Sequence, residues 1–326
     1  MSAVDLSARE PETPTKGSPA LGRPPAHVLK ALARKSLPRS LTYILLQWGA
    51  IASAALLAES VNSYVVLIAC LIFIATRQHA LLVMLHDAAH YSLSENKRLN
   101  DFIGAIFCAF PFSVSMRRYR ANHLAHHKFV NSEADPDLED NIAPDTLREL
   151  IKILASDLFF MSIPNYIRRS NKFGVLGIFR EQGPGWWTER ATFLSFLLLL
   201  SALIAWFGLW KVVLLYWIVP LFSVLQVILR ARGYSEHAGR IHEGDELRKS
   251  RTVDAGLIER FLLAPGNVNR HLEHHLYPYV PFFNLEKLHA ALSARRKVDP
   301  SAAPSAGYVG LRARGQSVFG ELYRHP

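Results

Sequence analysis

The chain has 326 residues, half of them hydrophobic, and carries a net charge of +10. Its basic residues lie beside long apolar runs and form no single stripe with interleaved aromatic residues, which argues against nucleic-acid binding and favours anchoring at anionic lipid headgroups. The two cysteines, Cys70 and Cys108, lie inside apolar runs without CxxC or paired spacing, so neither a disulfide framework nor a thiolate metal site is expected.

The two ends of the chain differ in composition from its middle. Residues 1–29 are polar, contain five prolines and lack the apolar core and cleavage site of a secretory signal. We predict a disordered cytosolic tail there. Residues 294–326, rich in Ala, Pro, Ser, Gly and Arg, are predicted to form a loosely ordered cytosolic tail. The segment between the tails, 30–293, is the predicted membrane domain.

Four apolar runs approach the roughly 17–25 residues that a membrane-spanning helix needs. They cover about 41–58, 61–85, 193–207 and 212–229. Short connections join the first run to the second and the third to the fourth, which predicts two helical hairpins. A shorter run at about 102–114 contains a proline and is predicted to lie at the membrane interface. The fold class is therefore an all-α, multi-pass membrane protein with four spans and a cytosolic helical cap.

The distribution of basic residues predicts the orientation of these spans. Four basic residues precede the first span, whereas the connection after it, "ESVNS", contains none; the four are Lys30, Arg34, Lys35 and Arg39. Basic loops stay in the cytosol, so we place the amino terminus there. An even number of spans then leaves the 86–192 segment and everything after 229 on the cytosolic side. We expect a bacterial inner membrane.

Eight of the fourteen histidines fall into three short boxes. These are "HDAAH" with His86 and His90, "HLAHH" with His123, His126 and His127, and "HLEHH" with His271, His274 and His275. The span count puts all three boxes on one side of the membrane. Positions i, i+3 and i+4 of a helix share one face, so each box is expected to point its rings in one direction. A lone buried histidine is usually structural, but this pattern predicts metal ligands.

The number and type of these ligands indicate how many metals are bound. Imidazole without thiolate suits iron, copper, zinc or nickel. Eight histidines exceed the roughly four ligands of a zinc ion. Two metals that share ligands from all three boxes are therefore predicted, and two redox metals beside a membrane indicate oxygen chemistry on a lipid.

Residues other than the eight box histidines are expected to complete the site. His237 is favoured over His242 as a further ligand, because it lies closer to the end of the fourth span. Four carboxylates are expected to hold ring N–H groups of the ligands, namely Asp87, Glu236, Glu273 and Asp135. Asp87 and Glu273 as direct ligands are the alternative for those two residues. For Asp135, turn and helix-cap chemistry around Pro136 is the interpretation that its sequence context favours. His79, His242 and Asn267 are candidates for lining the site.

The boxes and their flanks carry a resemblance to a known family. "HDAAH", "HLAHH" followed by "KFVNSEADPDL", and "NRHLEHHLYPYVPFFNLEKLH" resemble the membrane fatty acid desaturases over residues 77–289. The resemblance implies a non-haem di-iron centre that uses O₂ and two electrons to introduce a C=C bond into an acyl-lipid or acyl-CoA chain. The implied ligands are the eight box histidines and His237. Gly233 stands where some members carry an asparagine.

The same resemblance implies an external electron donor, a ferredoxin or a cytochrome, because no fused haem-binding domain is evident. A lipid hydroxylase or ketolase of the same family is the alternative function, since such enzymes carry similar boxes. A metal transporter would place ionisable ligands at the bilayer midplane, whereas spans three and four hold only the amide of Gln226. The basic residues before "HLAHH" are expected to anchor at the interface or to meet a headgroup or the donor; they are Arg117, Arg118 and Arg120.

Overall fold

The computed structural model describes residues 23–239, 249–294, 304–309 and 316–323. Within these ranges the regular structure is helical, and β pairing is limited to three isolated bridges. The first eight helices are α1 (Ala26–Leu32), α2 (Leu37–Ser60), α3 (Tyr64–Ala89), α4 (Lys97–Ile103), α5 (Met116–Phe129), α6 (Leu138–Asn141), α7 (Leu147–Leu158) and α8 (Ile163–Phe173).

The later helices begin after a 3₁₀ turn at Val175–Arg180. They are α9 (Pro184–Phe207), α10 (Trp210–Val213), α11 (Val219–Phe222), α12 (Val224–His237), α13 (Leu257–Leu262), α14 (His271–Leu276), α15 (Leu285–Ser293) and α16 (Val318–Tyr323). Further 3₁₀ turns at Pro265–Asn267 and Phe282–Asn284 flank α14.

Four helices among the described residues are long and apolar enough to cross a membrane. They are α2, α3, α9 and the continuous segment Trp210–His237, in which α10, a π-helical turn, α11 and α12 follow one another. The predicted all-α fold with four spans is confirmed. Three of the predicted spans lie inside one of these helices, whereas the second, 61–85, begins three residues before α3. Helix α3 also continues to Ala89 and so carries His86 within its last turn.

The ends of the spans follow from local sequence. Proline near the first turn suits the start of a helix, because its missing N–H would be unpaired there, and this applies to α2 and α9. Gly208 ends α9 with a φ of 64°, the left-handed conformation that glycine adopts without strain. The hairpin between α9 and α10 therefore needs only two residues.

Helix α3 is the centre of the packing. From Ile74 to Ala89 it is buried almost throughout, against α2, α5, α12 and the Pro265–Asn267 turn. The 102–114 segment continues α4 as a π-helical turn and a 3₁₀ turn. It approaches α3 so closely that a Cβ on Gly104 would lie 2.7 Å from the Cβ of Ala88. This approach places α5, which follows directly, beside the end of α3.

Helices α7 and α8 form a feature that the apolar runs did not reveal. They have twelve and eleven residues, so neither reaches the length of a span alone. Taken together they are apolar enough to pass as one span, but they meet at an angle of 80°. The length of each apolar run was the reason they were missed.

A small separate core joins α1 to α14 and α15. Its buried residues include Leu29, Leu32, Leu272 and Leu288, and Leu288 is fully buried. We expect Leu288→Ala to lower the free energy of unfolding by about 2–5 kcal/mol, through the lost contacts and the cavity left behind. Thermal unfolding in detergent measures it, and Lys287→Ala, on the exposed side of the same helix, is the control. Equal melting temperatures for the two variants would contradict this packing.

Candidate metal centre

Four helices supply the nine histidines implied as ligands. His86 lies in the last turn of α3, and His90 follows at its carboxyl end. Helix α5 carries the second box, α12 ends at His237, and α14 carries the third box. The start of α5 is fixed by Ser115, whose hydroxyl accepts the N–H of Arg118 and donates to the buried Glu189 of α9 at 2.9 Å. The second box is thereby tied to a membrane-spanning helix.

The nine histidines come together as two adjacent groups. The first group consists of His86, His90, His123, His127 and His274, and the second of His126, His237, His271 and His275. Within each group, one ring nitrogen of every member lies within 4.8 Å of the others. The rings of His127 and His275 stack at 4.1 Å between centroids, so the two groups touch.

The boxes do not map one to one onto the groups, which corrects the expectation that each box points in one direction. In "HLAHH" the i and i+4 residues join the first group, whereas the i+3 residue joins the second. In "HLEHH" the i and i+4 residues join the second group and the i+3 residue joins the first. The reason is angular: on a helix, i+4 lies about 40° from i, but i+3 lies about 60° to the other side. Box one serves only the first group.

Hydrogen bonding between the rings does not account for their contacts. The Nε2 atom of His123 lies 2.9 Å from that of His90 and 3.1 Å from that of His127. In the second group, His271 Nε2 lies 2.8 Å from His237 Nε2 and 3.0 Å from His275 Nε2. An imidazole nitrogen has a single in-plane hydrogen or lone pair. It therefore serves one neighbour, and two such contacts at one atom need a shared partner.

A metal ion meets that need. A ring nitrogen lies about 2.1 Å from a first-row ion, so two such ligands at a right angle are about 3.0 Å apart, which matches the Nε2 separations of both groups. Five nitrogens in the first group also exceed the four of a tetrahedral zinc site. In addition, both ring nitrogens of the buried His86 have no hydrogen-bond partner within the described residues. The donor set fits two transition-metal ions.

Burial keeps six of these rings neutral, as ligation requires. It lowers the pKa of His90 to about 3, with the Arg120 guanidinium adding to the effect. Burial, reinforced by neighbouring imidazoles, also holds the pKa values of five further histidines well below their usual range, namely His123, His127, His271, His274 and His275.

These lowered pKa values predict how the metal-free protein responds to acid. A ring with a lowered pKa stays neutral in the fold where the unfolded chain takes a proton, so the free energy of unfolding falls as the pH drops below about 6.5. The fall continues toward about pH 3 for His90. Melting temperatures of the metal-free protein between pH 7.5 and 5.5 measure this effect. A melting temperature that is constant or rises over this interval would contradict it.

Two of the four expected carboxylates contact histidines of the second group. Asp135 Oδ1 lies 2.9 Å from His126 Nδ1, and the same side chain accepts the backbone N–H groups of Asn131 and Asp137. Glu236 Oε1 lies 3.6 Å from His271 Nδ1 and accepts a hydrogen bond from Arg232 at 2.6 Å.

The other two carboxylates bind elsewhere. Asp87 accepts the backbone N–H of Phe282 at 2.9 Å, and its other oxygen lies 3.8 Å from His86 Nδ1. Glu273, although it lies inside a box, bonds His289 Nδ1 and the Thr252 hydroxyl, both at 2.6 Å. Residues two apart on a helix face different directions, so Glu273 points away from the ring of His271.

The remaining candidates lie outside the two groups. His79 is fully buried in α3, and neither of its ring nitrogens has a hydrogen-bond partner within the described residues. Asn267 bonds Arg260 and the carbonyl of Phe282. Gly233 faces α6, where a Cβ would lie 3.5 Å from the carbonyl oxygen of Asp140. His242 lies outside the described residues.

Three contacts of the site were not expected from the sequence. The carbonyl of Lys249 lies 3.2 Å from His237 Nδ1, the ring of Tyr119 stacks on His123, and His289 holds Glu273. Tyr119 stands four residues before His123, a spacing that signals a shared helix face. A backbone carbonyl from the segment that follows α12 leaves no comparable signal.

The comparisons with known proteins agree with the geometry. The family model for fatty acid desaturases matches residues 62–302. A dihydrorhizobitoxine desaturase of Bradyrhizobium elkanii is 28% identical over 284 residues, which cover 84% of this chain and 80% of that protein. A Delta(8)-fatty-acid desaturase of Euglena gracilis is 25% identical over 61% of this chain and 54% of its own length.

A third relative, a zeaxanthin 4-ketolase of Chlamydomonas reinhardtii, is 25% identical over 70% of this chain and 45% of that protein. The chain thus spans about half the length of the Euglena and Chlamydomonas relatives. The match to the family model covers most of the chain and includes all three histidine boxes, as the resemblance of the boxes implied. The chain belongs to the fatty acid desaturase family and is an oxidoreductase.

Proposed function

We propose that this protein is a di-iron desaturase that introduces a C=C bond into the acyl chain of an acyl-lipid or acyl-CoA. In this reaction O₂ accepts two hydrogens from neighbouring carbons, together with two electrons and two protons, and leaves as two waters. The observation that carries the proposal is the pair of adjacent histidine groups, with five and four ring nitrogens. Iron suits these nitrogen-rich, thiolate-free sets.

The protein's own part is to hold and shield the reacting region. The first group, with His86 and His274 among its members, would hold one iron, and the second, with His237 and His275, would hold the other. The two ions would supply the activation of O₂ that breaking a C–H bond requires. Most of these rings are buried, which keeps water away from reactive species.

The electrons come, in this proposal, from a separate ferredoxin or cytochrome. The amino terminus and the metal centre face the cytosol of a bacterial inner membrane. Two contacts support placing them on one side: Lys35, just before α2, pairs with Glu95 beyond α3, and α1 packs on α15. Basic residues before the first span support the cytosolic side.

Lipid analysis after expression tests the reaction. The chain is expressed in a host of known lipid composition, and acyl chains are examined by mass spectrometry with localisation of double bonds. The expected product has lost two hydrogens relative to a host acyl chain. Purified protein should contain about two irons per chain, and one zinc per chain would overturn the di-iron centre.

A ketolase or hydroxylase is the second candidate, because the Chlamydomonas relative is a zeaxanthin 4-ketolase. The same mass spectra separate the two reactions. A product that has gained oxygen, with no new double bond between carbons, favours hydroxylation or ketone formation over desaturation.

A further inference from the structure

A cavity outside the two histidine groups has a chemistry of its own. It has a volume of about 270 Å³ and lies between α2, α3 and the Leu257–Asn267 segment. Two arginines line it together with aromatic and small residues; the lining includes Tyr43, Arg77, Arg260, Phe261, Gly266 and Asn267.

Arg77 is a buried cation to which the described part of the chain supplies no anionic partner. It stands in the interior of α3 and is 8% exposed. Its guanidinium donates to the Thr76 hydroxyl at 3.1 Å, to the Gln47 amide oxygen at 3.2 Å and to the carbonyl of Phe261 at 2.6 Å. Among the described residues no carboxylate contacts it. A buried charge is costly unless an opposite charge lies beside it, and a charge inside a spanning helix marks a functional site.

The Arg77 guanidinium has N–H donors left to bind an anion. It has five N–H donors, and the three bonds above leave one on each terminal nitrogen. Guanidinium N–H groups are the donors that proteins favour for phosphate and carboxylate. The ring of Phe261, 4.2 Å from Cζ, shields one face of the cation. Arg260 adds a second positive charge, partly balanced by Glu286 at 3.2 Å.

The surroundings of the cavity indicate that an anion reaching it would belong to a lipid. Leu257 and Ile258, beside Arg260 on α13, are 86% and 71% exposed, and Phe261 is also exposed. The Phe261 ring lies 5.9 Å from Phe73 of the spanning helix α3. Exposed apolar side chains that continue the surface of a spanning helix are covered by lipid. A ligand therefore enters this cavity from the bilayer.

The cavity is also coupled to the metal centre. Gly266 has a φ of 64°, and a Cβ there would lie 3.1 Å from Val83 and 3.4 Å from Met84, one turn before His86. Asn267 donates to the carbonyl of Phe282, and the N–H of Phe282 binds Asp87. A group bound in this cavity is thus held at a fixed position relative to the first histidine group.

We propose that the cavity binds the phosphate or carboxylate of a single lipid, through Arg77 and Arg260, and so positions that lipid's chain relative to the histidine groups. The identification of this lipid as the substrate rests on the proposed function, whereas the binding of an anionic lipid does not. The anion fixes the head of the chain, and the distance from there to the metals decides which carbons are oxidised.

Binding to the full chain in a neutral detergent tests the site without turnover. The probes are hexadecyl phosphate, hexadecanoate, hexadecanol and inorganic phosphate. We expect the two anionic lipids to bind at least about tenfold more tightly than the alcohol, the effect of a charged hydrogen bond, and inorganic phosphate to bind much more weakly. Equal affinities for hexadecyl phosphate and hexadecanol would overturn the proposal. Tight binding of inorganic phosphate would replace a lipid site with a free-anion site.

Variants assign the effect to the cavity. Arg77→Gln and Arg260→Gln should remove the preference for the anionic lipids, and Arg77→Lys should retain part of it. Arg98→Gln, at an exposed position away from the cavity, should behave like the wild type. Size-exclusion chromatography reports folding, and if Arg77→Gln does not fold, Arg260→Gln and the wild-type probe series decide. A folded Arg77→Gln protein that keeps the full preference contradicts the assignment.

The product distribution provides a second readout. With the metal content unchanged, Arg77→Gln should spread the double bond over several positions of the chain, because the head is no longer held. An unaltered position in a folded variant would contradict the positioning role. Absence of any oxidised product in the wild type would count against the proposed function, while the binding series would still decide the anion site.

Discussion

His274→Ala is expected to lower the metal content from about two ions to about one per chain and to reduce activity by at least about 100-fold. Loss of a residue that only supports a ligand already lowers metal affinity or activity by about 10–100-fold. Loss of a ligand itself should therefore lower them further. His275→Ala should have the same outward effect but empty the other group, since the two neighbours belong to different groups. Metal analysis by mass spectrometry and the lipid assay provide the two readouts.

Double variants test more stringently which histidines belong to the same group. His90 and His274 belong to one group, so removing both should cost little more metal than removing one. Removing His274 and His275 together should release both ions. His27→Ala, at an exposed position on α1, is the matched control and should keep both ions and full activity. Retention of two irons by His274→Ala, or equal metal loss in both double variants, would contradict the division into two groups.

The architecture was predictable because it rests on local signals. Apolar length gave the four spans, and a spacing of three and four residues placed the histidines on helices. These signals need no knowledge of distant contacts. The carboxyl end of the second span was predicted too early, because polar residues such as His86 and Asp87, buried by neighbouring helices, continue α3 beyond its apolar run.

The division of the boxes was not predictable, because it depends on how two helices face each other. The sequence shows that His123, His126 and His127 lie near one face of α5. It does not show that the two histidine groups lie on either side of that face. The opposite splitting in α14 follows from its position across the centre, where His127 stacks on His275. Only the packing of α5 against α14 determines this arrangement.

The roles of the polar residues around the site depended on contacts across the chain. Arg77 belongs to no sequence motif, yet with α2 and α13 packed around it no described residue provides it with an acidic partner. Glu273 stood inside a box, but its bonds reach Thr252 and His289. Proximity along the chain is therefore a weak guide to which carboxylate supports a ligand.

A buried carboxylate that accepts a ring N–H, such as Asp135, is a stronger indication that a carboxylate supports a ligand. Burial raises its pKa, but the hydrogen bond from His126 and the N–H groups of Asp137 and Asn131 outweigh burial and leave the pKa below its usual value. The ionised carboxylate holds the hydrogen of His126 on Nδ1, which leaves Nε2 free to bind a metal. Asp135→Asn removes the charge and offers an amide N–H that favours the opposite tautomer.

We therefore expect Asp135→Asn to lower metal affinity in the second group, or activity, by about 10–100-fold, while the first group keeps its ion. Chelator competition on the purified protein measures the two affinities separately. Glu139→Gln is the control, because that carboxylate lies in the same acidic segment but is exposed and pairs with Arg168. If Asp135 had a purely structural role, the substitution would instead lower the melting temperature of the metal-free protein. It would then change the two metal affinities to the same extent, since nothing would single out the ion beside His126.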